Sequence, residues 1–287
     1  MNPSSASKKP FSLPRLMGRI GLQFFMIAVS LAVLLPLYTV VNFSLKTKKE
    51  LYVDNPLALP HSWFFDNYSS AFDRLHVGTT FLNTFLYTAI SVFFLALLSG
   101  AAAWAIARNR GRFFRFTYIY FLLGILIPFQ ALFLPIYIVG NTLHLTNTFH
   151  GIVLMYVATG LSFSIFLMTG FMTQVPLELE EAAQIDGCSI YRTYFSIVLP
   201  LLKPAIATLV ILQAFAIWND YLLASLFVSS SSLKTLNVLF QQLFSTTSSN
   251  YSTAMAGVMI SVVPISLLFV SLQKYFIKGL AAGAVKG

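Results

Sequence analysis

Residues 181–200, EAAQIDGCSIYRTYFSIVLP, form a polar stretch set between two strongly apolar ones, 150–172 before it and 204–227 after it. So many polar groups are too costly to place in hydrocarbon, which puts the stretch in water while its neighbours cross a bilayer. The rest of the chain agrees. Of 287 residues, 57% are hydrophobic, 15% aromatic and only 9% charged, with a mean hydropathy of +0.77. That is too apolar for a water-soluble domain. A helix crossing the hydrocarbon needs about 20 apolar residues, and six runs qualify: 20–43, 80–107, 116–140, 150–172, 204–227 and 253–273. Runs such as LGILIPFQALFLPIYIVG, residues 123–140, are apolar on every face. Barrel strands alternate instead, so the spans are helices.

The charges set the orientation. With six spans and the N-terminus inside, the cytoplasmic side holds Lys8, Lys9, Arg15, Arg19, Arg108, Arg110, Arg112, Arg115, Arg192, Lys203, Lys274, Lys278 and Lys286. Only Lys46, Lys48, Lys49, Arg74 and Lys234 fall outside. The positive-inside rule therefore predicts an all-α membrane protein of six transmembrane helices with both termini cytoplasmic. The net charge of +9 does not point to nucleic acid, because no basic stripe is interleaved with exposed aromatics. The first apolar run follows basic residues as a signal peptide would, yet it exceeds 20 residues and no small-x-small cleavage site ends it. It is expected to stay as the first span. One cysteine, Cys188, excludes a disulfide framework within the chain and a metal cluster built on cysteine. His144 and His150 lack partners at ligand spacing, so no metal site is expected.

Residues 1–19 read as a cytoplasmic tail, 20–275 as the transmembrane domain, and 276–287 as a second cytoplasmic tail. Within the domain, 175–203 form an inner loop and 229–252 an outer one. Residues 45–79, rich in proline and aromatics, suggest short interfacial structure. Small residues in SGAAAWAIA, 99–107, suit close helix packing. Pro128 and Pro135 interrupt the third span, either as a packing kink or as a hinge.

Local chemistry makes the inner loop two short helices. Pro176 suits a first helical turn, Glu178, Glu180 and Glu181 favour the positive end of the helix dipole, and Gly187 is placed to stop the helix in a left-handed conformation. Ser189 can cap a second helix carrying Tyr191, Arg192, Tyr194 and Phe195, which Pro200 would close.

Glu181, Ala182, Ala183, Asp186, Gly187, Ile197, Leu199 and Pro200 resemble, at matching spacing, the EAA motif of permease subunits in binding-protein-dependent ABC importers. Cys188 departs from the usual alanine. The tail QKYFIKGLAAGAVKG, residues 273–287, is similar to that of the second permease subunit of maltose-type importers, as are the helix count and the Trp-Asn-Asp of the fifth span. The resemblance implies a type I ABC importer permease fold in a bacterial cytoplasmic membrane, importing a sugar, most simply an oligosaccharide. It implies that Glu178, Glu181, Ala182, Ala183, Asp186, Gly187, Ile197, Leu199 and Pro200 couple to an ATPase. Gly283, Lys286 and Gly287 would touch that ATPase from the C-terminal tail. The implied partners are a second permease subunit in a heterodimer, two ATPase subunits and an extracytoplasmic sugar-binding protein. ATP and Mg2+ would belong to the ATPase, leaving no cofactor in this chain.

Asp220 is the only acidic residue within a predicted span, and buried charge in a membrane is costly and usually functional. Trp218, Asn219, Asp220 and Tyr221 are candidates for the translocation path, where rings stack on sugars and polar groups bind hydroxyls. The other reading makes Asn219 and Asp220 interface hydrogen-bonders and the two aromatics part of the interfacial belt. In the outer loop a short helix is expected at 236–244. The resemblance implies that this loop, through Asn237, Gln241 and Gln242, probes the binding protein; otherwise it is a plain interfacial helix. No Gly-Lys dipeptide, HExxH or GxSxG occurs, so catalysis by this chain alone is not expected. The alternative function is a secondary, ion-coupled transporter, which would need polar residues in discontinuous helices of repeated halves.

Overall fold

The computed structural model describes residues 13–246 and 251–284, with side chains for 18–245 and 251–274, and all regular structure among them is helical. The chain begins with α1 (Leu13–Ser44), a long apolar helix that packs chiefly along the last helix. Its residues between Ile20 and Leu37 are largely exposed, Phe24 at 75%, as a surface solvated by lipid would be. Two short helices follow, α2 (Lys48–Val53) and α3 (Asp66–Arg74). Thr47 and Glu50 form a reciprocal capping box on α2. The Thr47 hydroxyl and amide hold the Glu50 carboxyl down at about 2. Asn67 in α3 donates to the carbonyls of Ser44 and Lys46 at 3.0 and 2.8 Å, tying the segment to the end of α1.

The bundle is organised around α4 (Val77–Arg108), which packs most extensively on α7 (Phe149–Met172) and also on α11 (Lys203–Trp218). At 1.5 Å per residue, α4 is about 48 Å long, so its end projects beyond a hydrocarbon core of about 30 Å. Between α4 and α7 lie α5 (Arg112–Leu126) and α6 (Phe129–Thr142), which meet at 107°. The third span is thus a broken pair and not the single helix that one run suggests. Pro128 supplies no amide and drives the preceding residue out of the helical region, and Ile127 is accordingly extended at φ −79°, ψ 119°. Pro135 stays inside α6.

After α7 come α8 (Glu178–Ile185), α9 (Ile190–Thr193), a π-helical turn (Tyr194–Val198) and α10 (Leu199–Leu201). A bend of 71° then leads into α11. Pro200 does not close the second loop helix as expected. Helical structure runs past it to Leu201 and turns at Leu202.

The fifth span is also shorter than its apolar run. Helix α11 stops at Trp218, and α12 (Leu222–Phe227) starts anew. The cause is Asp220, whose carboxylate accepts the amides of Leu223 and Ala224 at 3.3 and 2.8 Å and so caps α12 from within the span. The outer loop carries α13 (Leu236–Thr246), as expected, and α14 (Tyr251–Ala284) closes the fold. Helix α14 runs beyond the boundary set for the last span, continuing through most of the segment read as a tail. Among the described residues four helices are long and apolar enough to cross a membrane alone, and the spans number up to six when each of the two bent pairs counts as one.

Candidate functional site

The inner loop is fastened to the bundle by one buried carboxylate. Glu180 lies in the first turn of α8 and is 3% exposed. Its Oε1 accepts Arg108 Nη2 at 2.7 Å and Arg108 Nε at 2.9 Å, and its Oε2 accepts Trp104 Nε1 at 2.8 Å. Arg108 Nη2 also donates to the Val175 carbonyl at 2.8 Å, at the start of the loop. Both oxygens of the carboxylate are thus met, by three donors in all, which a buried charge requires. One helical turn further back, Tyr194 from the π turn packs its ring 5.0 Å from that of Trp104. Gly100 lets it do so: a Cβ there would stand 2.8 Å from the Tyr194 hydroxyl. Gly100, Trp104 and Arg108 recur every four residues, so one stripe of α4 meets Tyr194, Glu180 and the Val175 carbonyl of the loop.

The opposite surface of the loop faces water. Glu178, Glu181, Ala182, Asp186 and Gly187 are exposed, and Ile185 is 86% exposed, with Tyr191 at 75%. Gly187 sits at φ +79°, as read from the sequence, and ends α8 in the left-handed region where other residues are strained. Ser189 caps α9 through the Arg192 amide at 3.3 Å. The motif residues therefore divide between two surfaces. Ala183 is 4% exposed, and Leu199, partly buried, packs against the core. Ala183 and Leu199 both lie on the bundle side of the loop and not on its open face. Ile197 is partly buried and Pro200 exposed.

A cavity of about 440 Å³ opens between α6, α7 and α11, lined by Phe129, Tyr156, Thr159, Phe163, Gln213 and Asp220 among others. Asp220 accepts the Tyr156 hydroxyl at 2.9 Å in addition to its two amides. Gln213 donates to the Gly160 carbonyl and the Ser164 hydroxyl at 3.2 and 3.0 Å, leaving its own carbonyl as an acceptor. Three rings and a few acceptors can hold a solute with an apolar face and hydroxyl edges. Of the four path candidates only Asp220 lines this cavity. Trp218 is 7% exposed, with its ring 5.7 Å from Phe81 and its Nε1 donating to the Ser261 carbonyl at 3.1 Å. It is a packing residue, neither on the cavity nor in an interfacial belt. Asn219 and Tyr221 are exposed beside the helix break. Sequence reasoning missed Tyr156, Gln213 and the aromatic walls, because each is an unremarkable residue of an apolar run.

On the outer side, Asn237 donates to the Asn219 carbonyl, so it is committed to the bundle. Gln241 and Gln242 are exposed on α13, the latter accepting Lys234 Nζ at 3.2 Å. Gly283 belongs to the end of α14; Lys286 and Gly287 lie outside the described residues. Among the described residues no three His, Cys, Asp or Glu side chains converge as metal ligands.

Residues 96–282 match the family model described as "Binding-protein-dependent transport system inner membrane component". The "Probable starch degradation products transport system permease protein AmyC" of Thermoanaerobacterium thermosulfurigenes is 37% identical over 265 residues, covering 92% of this chain and 96% of the relative. The "Melibiose/raffinose/stachyose import permease protein MelC" of Bacillus subtilis is 33% identical over 260 residues, covering 90% and 94%. A chain from a bacterial ABC transporter involved in the import of the acidic polysaccharide alginate aligns with a TM-score of 0.82 at 22% identity, covering 94% of this chain and all of that one. That last likeness is one of fold.

Proposed function

The chain belongs to the family of binding-protein-dependent transport system inner membrane components, and from that premise we propose that it pairs with a second, different permease subunit to form the path of an oligosaccharide. It is a multi-pass membrane subunit of a sugar ABC importer. Relatives named for starch degradation products and for raffinose-type sugars support an oligosaccharide as cargo. The family leaves no support for the ion-coupled alternative.

In this proposal ATP and Mg2+ are bound by two separate ATPase subunits, and this chain contributes no catalytic group. The observation that carries it is the two-sided inner loop: an acidic, partly apolar face open to solvent on α8, and a buried face held by α4. Glu178, Glu181 and Asp186 supply carboxylates for basic groups of the ATPase, where charge-assisted bonds are strong and directional, while Ile185 and Tyr191 supply contact area. Cargo arrives from an extracytoplasmic sugar-binding protein, whose contacts include Gln241 and Gln242 on α13. It then passes the cavity, where Phe129, Tyr156 and Phe163 meet ring faces and the acceptors of Asp220 and Gln213 meet hydroxyls. The C-terminal residues Gly283, Lys286 and Gly287 make a second ATPase contact.

Docking is tested by Glu181→Lys and Gly187→Asp. Each variant is expected to lose the ATPase on purification while the membrane chain keeps its helicity and elution volume. Stoichiometric ATPase retained in both variants would contradict the role of α8.

A further inference from the structure

The inner loop can pass a displacement to the transmembrane helices by two routes. One is covalent, through its chain connections to α7 and, across the 71° bend at Leu202, to α11. The other is through the buried face just described. We infer that the second route carries the coupling: Glu180, Arg108 and Trp104 form a clamp that makes α8 and the inner end of α4 move as one body. These are positioning residues, and the inference rests on the proposed ATPase coupling through α8.

Three observations favour this route. First, the clamp is many-pointed: both oxygens of Glu180 are held, by Arg108 and by Trp104, over distances of 2.7–2.9 Å. Two guanidinium nitrogens on Oε1 and an indole N–H on Oε2 hold the carboxylate from both ends, which resists sliding and twisting in a way that a point contact does not. Second, Arg108 holds α8 and the Val175 carbonyl together, so the loop's entrance and its first helix are fixed to the same side chain. Third, α4 is the helix around which the bundle is packed, touching α7, α11 and α13. Motion delivered to α4 reaches the cavity wall on α7 and α11 directly. The covalent arm to α11, by contrast, passes through a π-helical turn and a sharp bend, and the arm to α7 runs through the non-helical residues 173–177, so neither is a continuous rigid rod.

A merely structural staple and a coupling clamp differ in one respect. Removing both charges of a buried pair avoids the cost of an orphaned ion and restores stability, yet it does not restore a rigid, directional link. The test uses the intact transporter purified from its host membranes and reconstituted in liposomes, comparing Glu180→Gln, Arg108→Met and the double variant. Expected results are these: all three retain the ATPase, sugar imported per ATP hydrolysed falls at least tenfold in each single variant, and the double variant recovers thermal stability without recovering that ratio. Wild-type coupling in Glu180→Gln, or recovered coupling in the double variant, would overturn the clamp while leaving the importer function intact. Loss of the ATPase from Glu180→Gln would also overturn it, by making Glu180 a docking contact. No ATP-driven uptake by the wild-type complex would overturn the functional reading and the clamp with it. Spin labels at Gln184→Cys and Asn109→Cys, both exposed positions, in a Cys188→Ser background give a readout independent of transport. A narrow distance distribution that broadens in Glu180→Gln is expected, and an unchanged distribution would sink the clamp.

Discussion

Three neighbouring glutamates, Glu178, Glu180 and Glu181, have different fates, and the difference is one of helical phase. Glu180 and Ala183 are three residues apart and so share a face, the buried one, from which Glu180 reaches Trp104 and Arg108 of α4. The sequence makes all three look alike, since the dipole argument favours each equally. What separates them is Arg108, 72 residues away at the end of another helix, and no local pattern brings those two together. Tyr194 carries a second lesson at this scale. Its hydroxyl is buried without a hydrogen-bond partner among the described residues, and burial holds the ring in place by packing alone. A buried, unsatisfied hydroxyl costs about 1–3 kcal/mol, so Tyr194→Phe is expected to be neutral or stabilising by about 1 kcal/mol in thermal or denaturant unfolding in detergent. A loss of stability would mean that the hydroxyl has a partner the fold does not reveal.

At the scale of elements, the apolar runs were legible and their interruptions were not. A run longer than 20 residues announces a span because length and hydropathy suffice for that inference. Within such a run every face is apolar, so periodicity says nothing about where a helix breaks. Pro128 was visible as a break, although the 107° angle depends on packing of α5 and α6 against different neighbours. The break at Asn219–Tyr221 carries a subtler signal: Asn and Asp are capping residues, but an acidic residue in the middle of an apolar run points equally to a ligand site or to an interface hydrogen bond. Asp220 does both kinds of work, lining the cavity while it starts α12. Asp220→Ala leaves two amides and the Tyr156 hydroxyl without their acceptor and is expected to cost at least about 2 kcal/mol. Asp220→Asn, which keeps an acceptor oxygen, should cost less than half as much. Equal melting temperatures for wild type and Asp220→Ala would show that the cap contributes nothing.

For the whole molecule, the charge distribution and the packing give the same orientation of function. Arg108, Arg110 and Arg112 lie at the end of α4 to which the inner loop is tied through Glu180, so basic charge and that loop share one end of the bundle. In the proposed heterodimer, the exposed flank of α1 and the cavity between α6, α7 and α11 are the surfaces left for lipid and for the second subunit. Fold and family were both legible in 181–200, because that segment must satisfy an aqueous surface and a specific protein surface at once. The cargo was not, since its cavity is made of residues that elsewhere would be ordinary packing. The central claim is that ATP hydrolysed by a partner drives sugar through this chain. Proteoliposomes holding the complete complex, with the sugar-loaded binding protein outside and ATP trapped within, test it most directly. Sugar uptake is expected to require ATP and to persist when an uncoupler collapses the ion gradients. Uptake without ATP, or uptake abolished by the uncoupler while ATP is maintained, would contradict the account.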